Sequence, residues 1–448
     1  MATVAAGGDP RSVIDQEVMN YRQWIVVAIM VLLNALDGFD VLSSAFAAPG
    51  ISAEWGIARS TLGVVLSAEL VGMGIGSVIL GGIADRLGRK PAMMICLALM
   101  VSGMFLCAEA GSVTELTVWR LLTGLGIGGM LAATNAMTAE STNLRWRSVA
   151  LSAYVAGYPI GAVVGGIVAQ NWLLAEFDWR AVFLFGAIVT GVMIPVVWFL
   201  VPESAAFQYE QRRPDALARI NRTLRAYAKI PLQQLASLQE GKPSARLSDL
   251  FLDAKLRLVT LLLGFGFVFH MFTFYFVLKW GVQVVADFPP GYSPADAASI
   301  LTMTSLGGVL GSFGLGFFIK RFGLRWPSAI ALILTSLTTV WFGMGHSELT
   351  AWQFAAFCYG IASHAAITGF YTAFATSFPT SVRATGTGFV IGIGRIGAAS
   401  SPIAAGVLFD IFGKSELLFV ASVIAIGSTF ALVLFLRLPQ NEVAQPTG

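Results

Sequence analysis

The sequence predicts an all-α membrane protein: twelve transmembrane helices in two six-helix bundles related by a parallel repeat. Three observations carry this. Apolar residues make up 56% of the 448-residue chain and charged ones 12%, whereas soluble domains carry about 25% charged residues. An aqueous fold cannot hide that much apolar surface, so lipid is the solvent for most of it. The apolar residues also fall into twelve stretches of roughly the 20 residues needed to cross a bilayer. Finally, motifs of the first half recur in the second: Gly81, Arg86 and Gly88 as Gly316, Arg321 and Gly323.

Residues 1–23 are polar and lack the apolar run of a secretory signal, so they read as a cytosolic tail. Spans follow at 24–48, 60–83, 91–110, 114–138, 148–174 and 179–200, giving a first bundle over 24–200. The link 201–255 contains "QRRPDALARINRTLRAYAKI", basic and amphipathic, expected as a cytosolic connector near the membrane surface. The second bundle, 256–437, has stretches at 256–286, 295–318, 327–345, 350–376, 384–409 and 415–437, and 438–448 is a C-terminal cytosolic tail.

Orientation follows from the basic residues of the short loops. One set holds Arg86, Arg89, Lys90, Arg145, Arg147, Lys320, Arg321, Arg325 and Arg383. The other holds Arg59, Arg180 and Lys414 among acids such as Glu54, Glu115, Asp178, Asp287 and Asp296. The first set is therefore expected in the cytoplasm with both termini, in a multi-pass protein of the cell's inner membrane. "GGIADRLGRKP" (81–91) and "GFFIKRFGLRW" (316–326) run in the same sense, as do Arg147 and Gly161 against Arg383 and Gly397. Carriers duplicated in this parallel way hold their substrate between the repeats near the midplane.

Several classes drop out. Cys96, Cys107 and Cys358 lie scattered in apolar stretches, as small apolar filler rather than a disulfide framework or metal site. The chain lacks metal-spaced His/Glu pairs, a nucleophile elbow and a phosphate loop. No enzyme, cofactor, metal or ATP-driven transport is expected. A net charge of +3, with no basic face interleaved with aromatics, gives no reason to expect nucleic acid.

"GGIADRLGRK" resembles the loop between spans two and three of the major facilitator superfamily, G-x-x-x-D-R-x-G-R-[RK], with Asp85, Arg86, Gly88, Arg89 and Lys90 in place. In the second copy Lys320 stands where Asp85 does, so that copy is not given the same latch. "RLLTGLGIGG" (120–129) looks like the R-x-x-x-G-x-G-x-G of span four, whose glycines admit a neighbouring helix. "AGYPIGAVVGG" only partly matches the antiporter motif, Tyr158 standing where glycine is expected. "DGFD" (37–40) is similar to the D-G-[FY]-D of the aromatic acid/proton symporters. The resemblance implies proton-coupled uptake of an aromatic carboxylate, benzoate or hydroxybenzoate, by alternating access, the carrier working as a monomer with an aromatic acid, protons and the bilayer as partners. The alternative is a superfamily symporter for another organic anion, or a proton-coupled drug or metabolite antiporter.

Charge inside the membrane locates the candidate sites, because a carboxylate there costs about 2.5–3.5 kcal/mol. Asp37 and Asp40 lie about 18 and 22 Å into span one, on one helix face, with Gly38 between them to let the helix bend. Two carboxylates in poor solvent are costly to keep ionised together, so they are candidates for proton coupling, with Glu69 and Arg120 as charges at nearby depth. The other reading is a static pair that orients spans one and four. Arg395, about 18 Å into span eleven, is the candidate clamp for a substrate carboxylate. His270 and His364 are either satisfied core residues or substrate contacts. The aromatics of span seven are either packing or, with Tyr275, the wall of a ring pocket. Asn34, Asn135, Tyr154 and Tyr158 are further candidates for the cavity wall, and Lys279 is expected to snorkel to the outer interface. Asp85, Arg86, Gly88, Arg89, Glu140, Arg145 and Arg383 read as cytoplasmic gate residues or as solvated loop charge.

Overall fold

In lipid, a helix satisfies its own backbone polar groups, and the apolar stretches of this chain take that form. The computed structural model describes residues 8–211, 213–236, 247–379, 382–413 and 416–438. In order, the helices are α1 (Pro10–Gln16), α2 (Tyr21–Trp55), α3 (Arg59–Leu87), α4 (Arg89–Ala108), α5 (Val113–Glu140), α6 (Arg147–Val168), α7 (Leu174–Glu176), α8 (Arg180–Leu200), α9 (Ala205–Gln211), α10 (Ala216–Ala226), α11 (Asp249–Leu252), α12 (Ala254–Asp287), α13 (Pro294–Phe322), α14 (Arg325–Gly343), α15 (Leu349–Ser377), α16 (Arg383–Phe412) and α17 (Leu417–Leu436). A π-helical turn, Ala169–Leu173, joins α6 to α7 within the fifth span.

Twelve of these are the expected spans. Eleven are both long and apolar enough to cross a bilayer. The other, α15, has 29 residues, but Gln353, His364 and scattered serines and threonines thin its apolar content. The helices outrun the apolar stretches that announced them: α2 has 35 residues and α12 has 34. Lys279 is corrected by the packing. The end of α12 is buried from Lys279 through Val285, so the lysine is fully buried rather than snorkelling.

The chain forms two compact units, Met1–Ala47 with Ala68–Lys242, and Ala48–Ser67 with Pro243–Gly448. The end of α2 and the start of α3 thus group with the second unit, although the expected first bundle includes them. In the first unit, α4 packs on α5 and α8. Glycines bring helices together here: a Cβ at Gly38 would collide with the Tyr158 carbonyl, and one at Gly161 with that of Ala35. Gly38 therefore serves close approach of α2 and α6, and α2 passes through it as continuous helix.

The described polar segments of the first unit are tied to one another. Asn20 donates to the Tyr227 carbonyl, Lys229 donates to the Val18 carbonyl at 2.6 Å, and the Tyr227 and Ser141 hydroxyls meet at 2.9 Å. Helix α10 buries Ile220 and Leu224 and turns Arg222 and Arg225 outward. The linker thereby folds onto the N-terminal segment. Burial pushes the Tyr227 hydroxyl well above its ordinary pKa. In the second unit α12 contacts α16 and α17, and α13 contacts α15. Residues 1–7, Lys414 and residues 439–448 of the expected C-terminal tail lie outside the described residues.

Candidate functional site

In the first unit the four intramembrane charges of the N-terminal half come together. Asp37, Asp40, Glu69 and Arg120 are all fully buried. Arg120 forms an ion pair with Glu69, donates to the Asp40 carbonyl at 3.0 Å, approaches the Met104 sulfur at 3.3 Å and lies over the Phe183 ring. The Ser44 hydroxyl donates to Glu69 at 3.3 Å. The glycines following Arg120 make this possible. Gly124 abuts the Glu69 backbone and Gly128 that of Met73, so α5 lies against α3 with its guanidinium at the level of the acid. Among the described residues, neither carboxylate oxygen of Asp37 or Asp40 has a hydrogen-bond partner. Asp40 lies within electrostatic range of Arg120, and Asp37 within range of Asp40.

The wall candidates of this unit divide. Asn34 donates to the Tyr154 carbonyl at 2.6 Å, and the Tyr154 hydroxyl meets that of Thr134 at 2.9 Å. Both residues tie helices together with their own polar groups. Tyr158 is half-buried, and Asn135 is exposed near the C-terminal end of α5.

In the second unit, Arg395 on α16 hydrogen-bonds the Tyr275 hydroxyl of α12 and lies in electrostatic range of Tyr371 on α15. Around them is an aromatic shell. Phe274 meets Tyr275 at 5.3 Å and His364 at 5.0 Å, while Phe267 meets Tyr371 at 6.1 Å. Tyr275 is buried, but Tyr371 is 46% exposed, so this shell has an open side. His270 is fully buried, with Nδ1 3.2 Å from the Ser428 hydroxyl and Nε2 3.2 Å from the Ser363 carbonyl. The carbonyl requires Nε2 to carry the proton, which leaves Nδ1 as acceptor. Of its two expected readings, the geometry is that of a satisfied core histidine. His364 turns Nδ1 to the Gly360 carbonyl at 3.1 Å and remains half-buried. Tyr371 lies in "TGFYTAFAT", which contains no motif that singles it out, so sequence reasoning missed it.

The loop motif builds a third centre, in the first unit. Gly88 has φ of +118°, a conformation that favours glycine. Arg89 then reaches Asp85 at 2.6 Å and Glu140 at 3.1 Å. Glu203, which sequence reasoning missed, accepts the Arg89 N–H at 3.0 Å and closes the start of α4. Burial pushes its carboxyl above the ordinary range, against backbone hydrogen bonds and the charge of Arg89. Arg86 is exposed, and Arg145 is exposed over the adjoining Trp146 ring. Arg147 pairs with Asp15 rather than with Glu140, which Arg89 and Ser204 already hold. Arg383 donates to the Phe378 carbonyl at 3.2 Å.

Buried charge in unit one and an arginine ringed by aromatics in unit two suit a polar solute within a helical membrane protein. Comparison with known proteins gives the family. The family model described as Major Facilitator Superfamily matches residues 28–290 and 284–448. A gallate transporter of Pseudomonas putida is 30% identical, over 92% of this chain and 91% of that protein. A 4-hydroxybenzoate transporter, PcaK, of Acinetobacter baylyi is 28% identical over 89% and 87%. The crystal structure of a D-xylose–proton symporter superposes with a TM-score of 0.70 at 15% identity, over 93% of this chain and 98% of that one, a likeness of fold. The chain belongs to the major facilitator superfamily, and is a multi-pass membrane transporter rather than an enzyme.

Proposed function

We propose that the protein takes up an aromatic carboxylate of the benzoate or hydroxybenzoate class together with protons, by alternating access. The observation that carries this reading is Arg395, held by Tyr275 in a shell of aromatic rings. A guanidinium grips a carboxylate in bidentate fashion, and the rings offer stacking to the ring of the same solute. The gallate and 4-hydroxybenzoate transporters, similar along most of their length, support this substrate class.

The buried set Asp37, Asp40, Glu69 and Arg120 is the proposed proton-coupling centre. The Asp85–Arg89–Glu140 centre is the proposed cytoplasmic latch, with both termini on that side of the inner membrane. The basic loops support this orientation.

The test is uptake in proteoliposomes under an imposed pH gradient. Labelled 4-hydroxybenzoate, gallate and benzoate are compared with a non-aromatic acid. Acid outside is expected to drive accumulation of an aromatic acid, and Arg395→Ala to abolish its binding at unchanged folded yield. Equal uptake with and without the gradient would remove the proton. Failure of every aromatic acid to compete would remove the substrate class.

A further inference from the structure

Away from the Arg395 shell, the second unit contains a cavity of about 420 Å³, walled by Arg59, Trp280, Gln283, Asp287, Phe288 and Phe409. Such a volume lies in the range of ligand sites, about 300–1,000 Å³. Gln283 is eight residues beyond Tyr275 on α12, about 12 Å along the helix axis, so this space is separate from the arginine–tyrosine pair.

Three features give the cavity a chemistry. Its apolar wall is fixed: the Trp280 and Phe409 rings lie 5.2 Å apart, and Trp280 Nε1 donates to the Pro402 carbonyl at 3.1 Å. Its charge is internally balanced: Arg59 pairs with Asp287 at 2.5 Å and donates to the Ser52 hydroxyl at 3.2 Å. Finally, Gln283 is 2% exposed, and its Oε1 has no hydrogen-bond partner among the described residues. A buried amide oxygen is costly to leave without a donor. Gln283 lines the cavity, so its amide is a polar group that a ligand there would meet.

We propose that this cavity is a second binding site, for a hydroxylated aromatic ring. The ring lies on the Trp280–Phe409 wall, its hydroxyl donates to Gln283, and its remaining polar group meets the Arg59–Asp287 pair. An unsubstituted benzoate anion fits less well, because it has no proton to donate to the amide oxygen. The ligand class rests on the aromatic-acid reading above; the site rests on the cavity, the fixed rings and the amide oxygen.

Calorimetric titration of the purified full chain with 4-hydroxybenzoate and with benzoate tests this. Wild type is expected to bind 4-hydroxybenzoate at two sites and Arg395→Ala to retain the second. Adding Gln283→Leu, which keeps the volume and removes the amide, weakens that residual binding about fivefold, the worth of one hydrogen bond, and leaves benzoate unchanged. One wild-type site that vanishes in Arg395→Ala overturns the second site and leaves the transport reading standing. No aromatic binding in wild type overturns both. Photolabelling with an azido-hydroxybenzoate gives a readout that does not depend on the variants' folding. Label between Trp280 and Phe288 or at Phe409 supports the site; label confined to the surroundings of Tyr275 and Arg395 overturns it.

Discussion

Asp410, near the end of α16, caps the start of α3: its two carboxylate oxygens accept the N–H groups of Arg59 and Ser60 at 2.9 and 2.8 Å. A helix start leaves four backbone N–H groups without intrahelical partners and carries partial positive charge. Here an acid distant in sequence supplies both the acceptors and the charge. The backbones are close because Gly63 abuts the Pro402 carbonyl and Gly406 that of Arg59. Segment 48–67 therefore belongs with the second unit through a cap, two glycine contacts and the Arg59–Asp287 pair.

The cap predicts a graded loss. Asp410→Ala removes both acceptors and is expected to cost about 1 kcal/mol, read as a lower midpoint in thermal unfolding of the purified protein. Asp410→Asn retains one good acceptor and is expected to fall between. Equal midpoints for all three proteins would mean that solvent serves the α3 N–H groups as well as the carboxylate does.

The Arg120–Glu69 pair predicts strong non-additivity. Both side chains are fully buried, so removing one leaves an uncompensated charge, at a cost of about 3–5 kcal/mol. Glu69→Ala alone is expected to collapse folded yield. The double change Glu69→Leu with Arg120→Met removes the charges together and is expected to recover most of it. A double variant as poor as the sum of its parts would contradict the coupling.

The sequence made much of this legible where the chemistry is extreme. Carboxylates and an arginine inside apolar runs are expensive, so Asp37, Asp40, Glu69, Arg120 and Arg395 stood out singly, and the structure brings the first four together. The glycines after Arg120 likewise announced a close helix neighbour. What stayed hidden depends on long-range pairing. Nothing near Arg59 in sequence points to Asp287 or Asp410, and Glu203 is one acid in a polar link until the fold sets it at the start of α4. His270 was ambiguous because its partners, Ser428 and Ser363, come from other helices. Lys279 was misplaced because depth counted along one helix does not show which neighbours pack around its far end.

Glu203 predicts a pH dependence. Its folded-state pKa is raised by burial, so its ionised form is disfavoured in the fold relative to the unfolded chain. The corresponding stability is fully present below the unfolded carboxyl value and is lost as pH rises through the raised folded value. Wild type is therefore expected to gain thermal stability as pH falls from neutral through that window. Glu203→Gln, which cannot ionise, is expected to lose that part of the gain. Glu203→Ala, which also uncovers the start of α4, is expected to be less stable throughout. An identical stability-against-pH curve for wild type and Glu203→Gln would show that the carboxyl does not titrate differently in the two states.

The last prediction separates the two aspartates. They share one face of α2, and the charge of Arg120 acts on Asp40. Asp37 is fully buried, and among the described residues its oxygens have no hydrogen-bond partner. A proton-carrying acid has to exchange its proton without dismantling the fold, which favours Asp37; Asp40 is tied to the charge balance around Arg120. Asp37→Asn is nearly isosteric and is expected to retain folded yield and exchange of labelled aromatic acid down its own gradient. Its accumulation under a pH gradient is expected to drop to the level reached without one. Asp40→Asn is expected instead to lower stability, because it removes negative charge from the surroundings of Arg120. Measuring exchange and gradient-driven uptake side by side decides the matter: full pH-driven accumulation in Asp37→Asn would move the proton to another group.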